Sequence, residues 1–143
     1  MKRPISRKEP IYKYHRAMLV DDNEMDNFIN QKIIESSLFA KNIYISTNGI
    51  SALEFLKNIL ATENLAEEIM PNVIFIDINM PLMDGFQFID EFLKLPEKIK
   101  KKTKLVILTT SINNDDKGRA LKYGNKVTFI SKPLNEESLS TIH

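Results

Sequence analysis

A chain of 143 residues, 43% hydrophobic and 27% charged, has the material for one ordinary core and no room for a second folded domain. With 20 basic against 19 acidic residues, the formal net charge of +1 offers no global field for nucleic acid or an acidic substrate. The absence of cysteine excludes a disulfide framework, a thiol nucleophile and a thiolate metal site; no apolar run reaches the roughly 18 residues of a membrane span, and a cytoplasmic protein without membrane contact is expected.

Residues 1–16 read as a basic arm, flexible or lying on the surface: Lys2, Arg3, Arg7, Lys8 and Lys13 are interspersed with two prolines and no periodic apolar face. From Met18 onward strand and helix signals alternate, the pattern of a parallel sheet with helices on both faces. The expected strands are Met18–Asp21, Ile43–Ser46, Val73–Asp77, Leu105–Thr109 and Thr128–Ser131. Between them Met25, Phe28, Ile29 and Ile33 recur at helical spacing, as do Ile50, Leu53, Leu56 and Leu60, then Phe86, Ile89 and Leu93, and each set is expected to face the core. A short fourth helix is expected over Asn113–Leu121, capped by Asn114 or Asp115 and ended by Gly124. A fifth begins at Asn135, turns Leu139 and Ile142 inward, and stops early at His143. The lysine run from Lys98 to Lys104 has no interleaved aromatics and reads as a solvated loop.

Polar residues close four of these strands: Asp21 and Asp22 after Met18–Val20, Asp77 after Val73–Ile76, Thr109 and Thr110 after Leu105–Leu108, and Lys132 with Pro133 after Thr128–Ile130. In an open parallel sheet such positions meet at the carboxyl ends of the strands, however far apart they are in the chain. An Asp-Asp pair alone is more often a turn or a helix cap. Its coincidence with Asp77 and Lys132 reverses that reading.

Those motifs, with the Met80-Pro81-Leu82-Met83-Asp84-Gly85 continuation after Asp77, resemble the receiver domain of two-component response regulators, of the kind typified by the bacterial chemotaxis regulator. The resemblance runs from Ala17 to the end and follows the family's order and spacing. It implies a single doubly wound (βα)5 domain over residues 17–143, α/β in class, with a flavodoxin-like strand order 2-1-3-4-5 and a short last helix. It also implies that Asp77 is a phosphoacceptor supplied by a sensor histidine kinase or phosphotransfer protein. By the same resemblance Asp21, Asp22, Asp77 and the backbone carbonyl of Asn79 hold a metal ion, and Thr109, Lys132 and Phe129 bind the phosphoryl group and switch. Thr110 and Ser111 tune access to it.

The chemistry agrees. Two carboxylates about 4 Å apart repel by roughly 4 kcal/mol at an effective dielectric of 20, so three converging aspartates call for a cation. All-oxygen donors beside a phosphoryl group favour Mg²⁺, with Mn²⁺ a substitute. Phe129 stands where the family commonly has tyrosine and so lacks its hydroxyl, while Thr110 is bulkier than the family's usual alanine. The expected output is a phosphorylation-dependent change in the face built from the fourth helix, fifth strand and fifth helix. That face would be read by a protein partner, as a monomer or a phosphorylation-linked dimer, without direct nucleic-acid contact. Two other readings compete: a receiver fold used as a constitutive interaction or dimerisation module, and a Mg²⁺-dependent aspartyl-phosphate phosphatase. The second is disfavoured by Asn79, because rapid turnover needs an acid at that position and an amide cannot exchange a proton as a carboxyl does.

Overall fold

The apolar runs form the strands of one parallel sheet in the computed structural model, which describes residues 9–110 and 113–143. The strands are β1 (Tyr14–Val20), β2 (Ala40–Ser46), β3 (Val73–Ile76), β4 (Lys104–Thr109) and β5 (Val127–Ser131). Their spatial order is β2-β1-β3-β4-β5, all parallel. The connecting helices are α1 (Glu24–Ser36), α2 (Gly49–Leu60), α3 (Gly85–Leu93) and α4 (Asn114–Leu121), followed by α5 (Glu136–Ser140). Single helical turns at Ala66–Ile69 and Glu97–Lys100 lead into β3 and β4. This is the expected doubly wound α/β architecture.

Alternation along the strands divides the core into two layers. Met18, Val20, Ile74, Ile76, Leu105 and Ile107 face α2 and α3, where Leu53, Leu56, Phe86, Phe88, Ile89 and Phe92 meet them. Ala17, Leu19, Val73, Phe75, Val106 and Leu108 face the other way, against Ile34, Leu134, Leu139 and Ile142. Strands buried on both faces need no polar alternation, which is why their sequences are unbroken apolar runs.

Four local expectations are corrected. Tyr14–Arg16, read as the end of the basic arm, belong to β1. The Tyr14 ring packs on Phe39 with centroids 5.1 Å apart, and Arg16 donates from its backbone to Asn72 Oδ1 at 3.0 Å and from Nε to the Met70 carbonyl at 3.0 Å. The rest of the arm through Lys8 lies outside the described residues. In α1 three of the four stripe residues do not face the core: Met25, Phe28 and Ile29 are exposed while Ile33 packs partly against it, and the buried residues are Asn27, Asn30 and Ile34. The upper turns of α1 lie against the polar carboxyl ends of the strands, where amides find partners: Asn27 Nδ2 donates to the Asp21 carbonyl at 2.8 Å, and Asn30 Oδ1 accepts from the Leu134 N–H at 3.3 Å. Ile50 at the start of α2 is likewise exposed. The cap of α4 is Asn113, whose Oδ1 accepts the Asp116 N–H at 2.7 Å, in place of Asn114 or Asp115.

Gly85, the first residue of α3, sets the distance between that helix and the end of β3. A Cβ there would stand 2.7 Å from both the Asp77 carbonyl oxygen and the Ile78 Cα, and backbone atoms cannot swing aside. Gly85→Ala should therefore lower stability by about 1–3 kcal/mol in a urea melt. Gly118, inside α4 with no neighbour among the described residues within 4 Å of the corresponding position, provides the opposite case. Gly118→Ala should raise stability by about 0.5–1 kcal/mol, because only the helix-propensity difference remains.

Candidate functional site

Register brings the polar strand ends together. Val20 pairs with Ile76, so Asp21 and Asp77 leave adjacent strands side by side. Thr109 pairs with Ser131 across β4 and β5, which places Lys132 one residue beyond, its N–H donating to the Thr109 carbonyl at 2.9 Å. The Lys132-Pro133 peptide is cis.

The two strand-end aspartates are held alike. Asp21 Oδ1 accepts the N–H of Asn23 at 2.9 Å, and Asp77 Oδ1 accepts that of Asn79 at 2.9 Å. These turns closed by the side chain fix each carboxylate's orientation. The second oxygens meet on one ammonium: Lys132 Nζ lies 2.5 Å from Asp21 Oδ2 and 2.9 Å from Asp77 Oδ2. The lysine and both carboxylates are largely enclosed, with side-chain exposures of 5%, 5% and 10%. The short contact to Asp21 lacks hydrogen-bond alignment, leaving Oδ2 without a directed donor.

A third carboxylate on the lysine was missed by sequence reasoning. Asp26 Oδ2 lies 2.9 Å from Lys132 Nζ. The Asn23 cap offers a signal in retrospect: Asn23 Oδ1 accepts the Asp26 N–H at 3.0 Å, and a residue three beyond an N-cap is turned back toward the loop that precedes the helix. Asp22 is exposed, yet oxygens of Asp21, Asp22 and Asp77 lie within 4.8 Å of one another. Four carboxylates against one ammonium leave a formal excess of three negative charges.

Burial pushes the Asp21 carboxyl above its ordinary range, and the neighbouring Asp77 charge adds to this, although Lys132 and the Asn23 N–H pull it down. For Lys132 burial acts to lower the pKa, but the carboxylates of Asp21, Asp77 and Asp26 around its ammonium outweigh it and hold the value above the ordinary lysine range. At the end of β4 the Thr109 hydroxyl is wholly buried and has no hydrogen-bond partner among the described residues. A buried hydroxyl without a partner costs about 1–3 kcal/mol, so it is poised for an acceptor. Hard oxygen donors, excess negative charge and an orphan donor together fit a divalent cation with a phosphoryl group.

The remaining expected residues are distributed as follows. Asn79 is exposed at the turn after Asp77, and Thr110 is exposed after β4. Ser111 lies outside the described residues. Phe129 is half-buried on β5 and, with Ala120, Leu121, Gly124 and Val127, lines an open groove of about 380 Å³ beside α4. Tyr123 at the end of α4 donates to Asp90 at 2.6 Å and stacks on Phe86; burial and that bond push its hydroxyl up to about 12.

Lys132→Met removes the counter-charge from buried carboxylates and should cost the metal-free protein about 3–5 kcal/mol near neutral pH, read by urea melts. The pH dependence has a definite sign. Lys132's folded pKa lies above 10.5, so its contribution is present below 10.5 and is lost as pH rises through the folded value; Lys132→Met should lack that alkaline loss. Asp21's raised pKa makes the metal-free fold less stable as pH rises from 3.8 through the folded value. Asp21→Asn should flatten that slope.

Comparison with known proteins places the chain in a family. The family model described as "Response regulator receiver domain" matches residues 17–142. Response regulator Rcp1 of Synechocystis is 32% identical over 99 residues, covering 69% of this chain and 64% of that protein. Sensor histidine kinase CheAY of Helicobacter pylori is 30% identical over 126 residues, 88% of this chain but 14% of the kinase. A two component response regulator from Cytophaga hutchinsonii has a solved structure that superposes with a TM-score of 0.77 at 30% identity, covering 89% of this chain and 92% of that one. The chemotaxis response regulator CheY4 of Vibrio cholerae shares the fold with a TM-score of 0.64 at 23% identity over 90% and 94%. The family model matches nearly the whole chain, and the strand-end carboxylates gathered on one lysine are in keeping with it: the chain belongs to the response regulator receiver domain family.

Proposed function

We propose that this receiver accepts a phosphoryl group on the Asp77 carboxylate from a phosphohistidine, carried by a sensor histidine kinase or a phosphotransfer protein. The observation that carries this reading is the pairing of Asp77 and Asp21 on one buried ammonium, whose backbone N–H is bonded to the carbonyl of Thr109, a residue whose buried hydroxyl has no partner among the described residues. An oxygen of Asp77 attacks phosphorus, a P–O bond forms as the P–N bond to the imidazole breaks, and the imidazole nitrogen keeps the bonding pair. Asp21, Asp22, Asp77 and the backbone carbonyl of Asn79 would hold a Mg²⁺ ion, or Mn²⁺ in its place, whose charge neutralises the carboxylates and the phosphoryl oxygens.

Lys132 turns its ammonium from the carboxylates to a phosphoryl oxygen, and Thr109 donates its hydroxyl to another. Because the Lys132 N–H is bonded to the Thr109 carbonyl, movement at either residue reaches the loop before α4 and the end of β5. The face of α4, β5 and α5, with the half-buried Phe129, then changes and is read by a protein partner, in a monomer or a phosphorylation-linked dimer. Thr110 and Ser111 set access to the acyl phosphate. Asn79 follows Asp77 by two residues and presents an amide, so hydrolysis proceeds as slow self-dephosphorylation and not as enzymatic turnover. A histidine kinase donor places this chemistry in the cytoplasm. Among the described residues, no helix is long and apolar enough to cross a membrane.

Intact-mass spectrometry after incubation with acetyl phosphate tests the reading. Wild type with Mg²⁺ should gain one phosphoryl group, whereas wild type with chelator and Asp77→Asn with Mg²⁺ should gain none. If neither acetyl phosphate nor a panel of histidine kinases modifies the folded, metal-supplied wild type, the chain acts as a constitutive interaction module instead.

A further inference from the structure

We propose that Asp26 is a positioning residue for Lys132: it retains the ammonium when a divalent cation engages Asp21 and Asp77, and releases it to a phosphoryl oxygen on Asp77. The inference rests on the phosphoacceptor reading above and extends it to a residue on α1.

An ammonium has three N–H donors, and Lys132 Nζ meets three carboxylates: Asp21 at 2.5 Å, Asp26 at 2.9 Å and Asp77 at 2.9 Å. Two of these belong to the group whose oxygens cluster with Asp22 within 4.8 Å, and Asp26 does not. Any cation seated among Asp21, Asp22 and Asp77 repels the ammonium and takes its partners there. What remains to Lys132 is Asp26. Its place is fixed by two bonds at the start of α1, the Asp26 N–H to Asn23 Oδ1 at 3.0 Å and the neighbouring Asn27 Nδ2 to the Asp21 carbonyl at 2.8 Å.

Solvent access separates Asp26 from the other two. Its side chain is 32% exposed, against 5% for Asp21 and 10% for Asp77. A half-solvated carboxylate attracts the ammonium less strongly than a buried one and is rehydrated when the ammonium departs. Asp26 is therefore strong enough to keep Lys132 near the site and weak enough to yield it. Replacing Asp26 with a neutral amide has opposite effects on the two ligands. The cation must then displace a lysine with no resting partner, in a pocket one negative charge poorer, so it binds less well. Once the cation is bound, nothing competes with the phosphoryl group for the lysine, so that group binds better.

The test titrates the wild-type chain, Asp26→Asn and Asp26→Glu with Mg²⁺ by calorimetry, then with trifluoroberyllate at saturating Mg²⁺. In the metal-free proteins it also follows the Lys132 ammonium signal by NMR. For Asp26→Asn the Mg²⁺ Kd should rise about two- to fivefold and the trifluoroberyllate Kd should fall by a similar factor, the range for a partly exposed ion pair. Its lysine signal should shift before metal is added, and Asp26→Glu should return all three readouts toward wild type. Unchanged affinities, or both weakened together as a merely structural defect would produce, overturn the proposal. Wild type that binds neither ligand overturns the phosphoacceptor reading itself.

Discussion

Lys132 supplies the positive charge that lets carboxylates from β1, β3 and α1 occupy one enclosed space. Without it, the register that aligns Asp21 with Asp77 would set like charges side by side in a poorly solvated pocket. The lysine reaches them because its own backbone is tied to the end of β4 through Thr109. Sheet register, loop geometry and side-chain charge therefore depend on one another: a slip of either pairing would separate the ammonium from its partners. Replacing such a cluster with apolar residues would not by itself weaken a fold.

Much of this was legible in the sequence because strands buried on both faces leave a strong trace. Val73–Ile76 and Leu105–Leu108 are apolar without interruption, and the first polar residue after each run marks the carboxyl edge of the sheet. The site followed from that edge, since polar strand ends converge in any parallel sheet. Apolar periodicity failed at α1, where Met25, Phe28 and Ile29 keep helical spacing on the solvent side while Asn27 and Asn30 are buried. Periodicity finds a helix's inner face only when its neighbours are apolar, and the first turns of α1 adjoin a polar rim. Asp26 escaped notice for the same reason, as a charged residue between apolar ones that resembled ordinary surface.

The start of β1 was lost to a different effect. Tyr14–Arg16 bring His15 and Arg16 into a strand of seven and resemble the polar, basic segment before them. Their pairing with β2 is settled by contacts distant in sequence, such as Tyr14 with Phe39 and Arg16 with Asn72 and Met70. No local pattern encodes those. The family assignment is insensitive to such errors because it depends on the strand ends, where local sequence and global fold agree.

The two helices beside the central strands differ in how firmly they are seated. α3 buries Gly85, Phe86, Phe88, Ile89 and Phe92, and its first residue touches the backbone at Asp77. α4 buries none of its eight residues. Apolar contact is the main resistance to displacing a helix, at about 25 cal/mol per Å² exposed. The sheet is thus mechanically lopsided: stiff on the α3 side, compliant on the α4 side. Amide protons of α4 should be the sooner to exchange, and a disturbance at Asp77 will be absorbed where the lattice of contacts is thinnest.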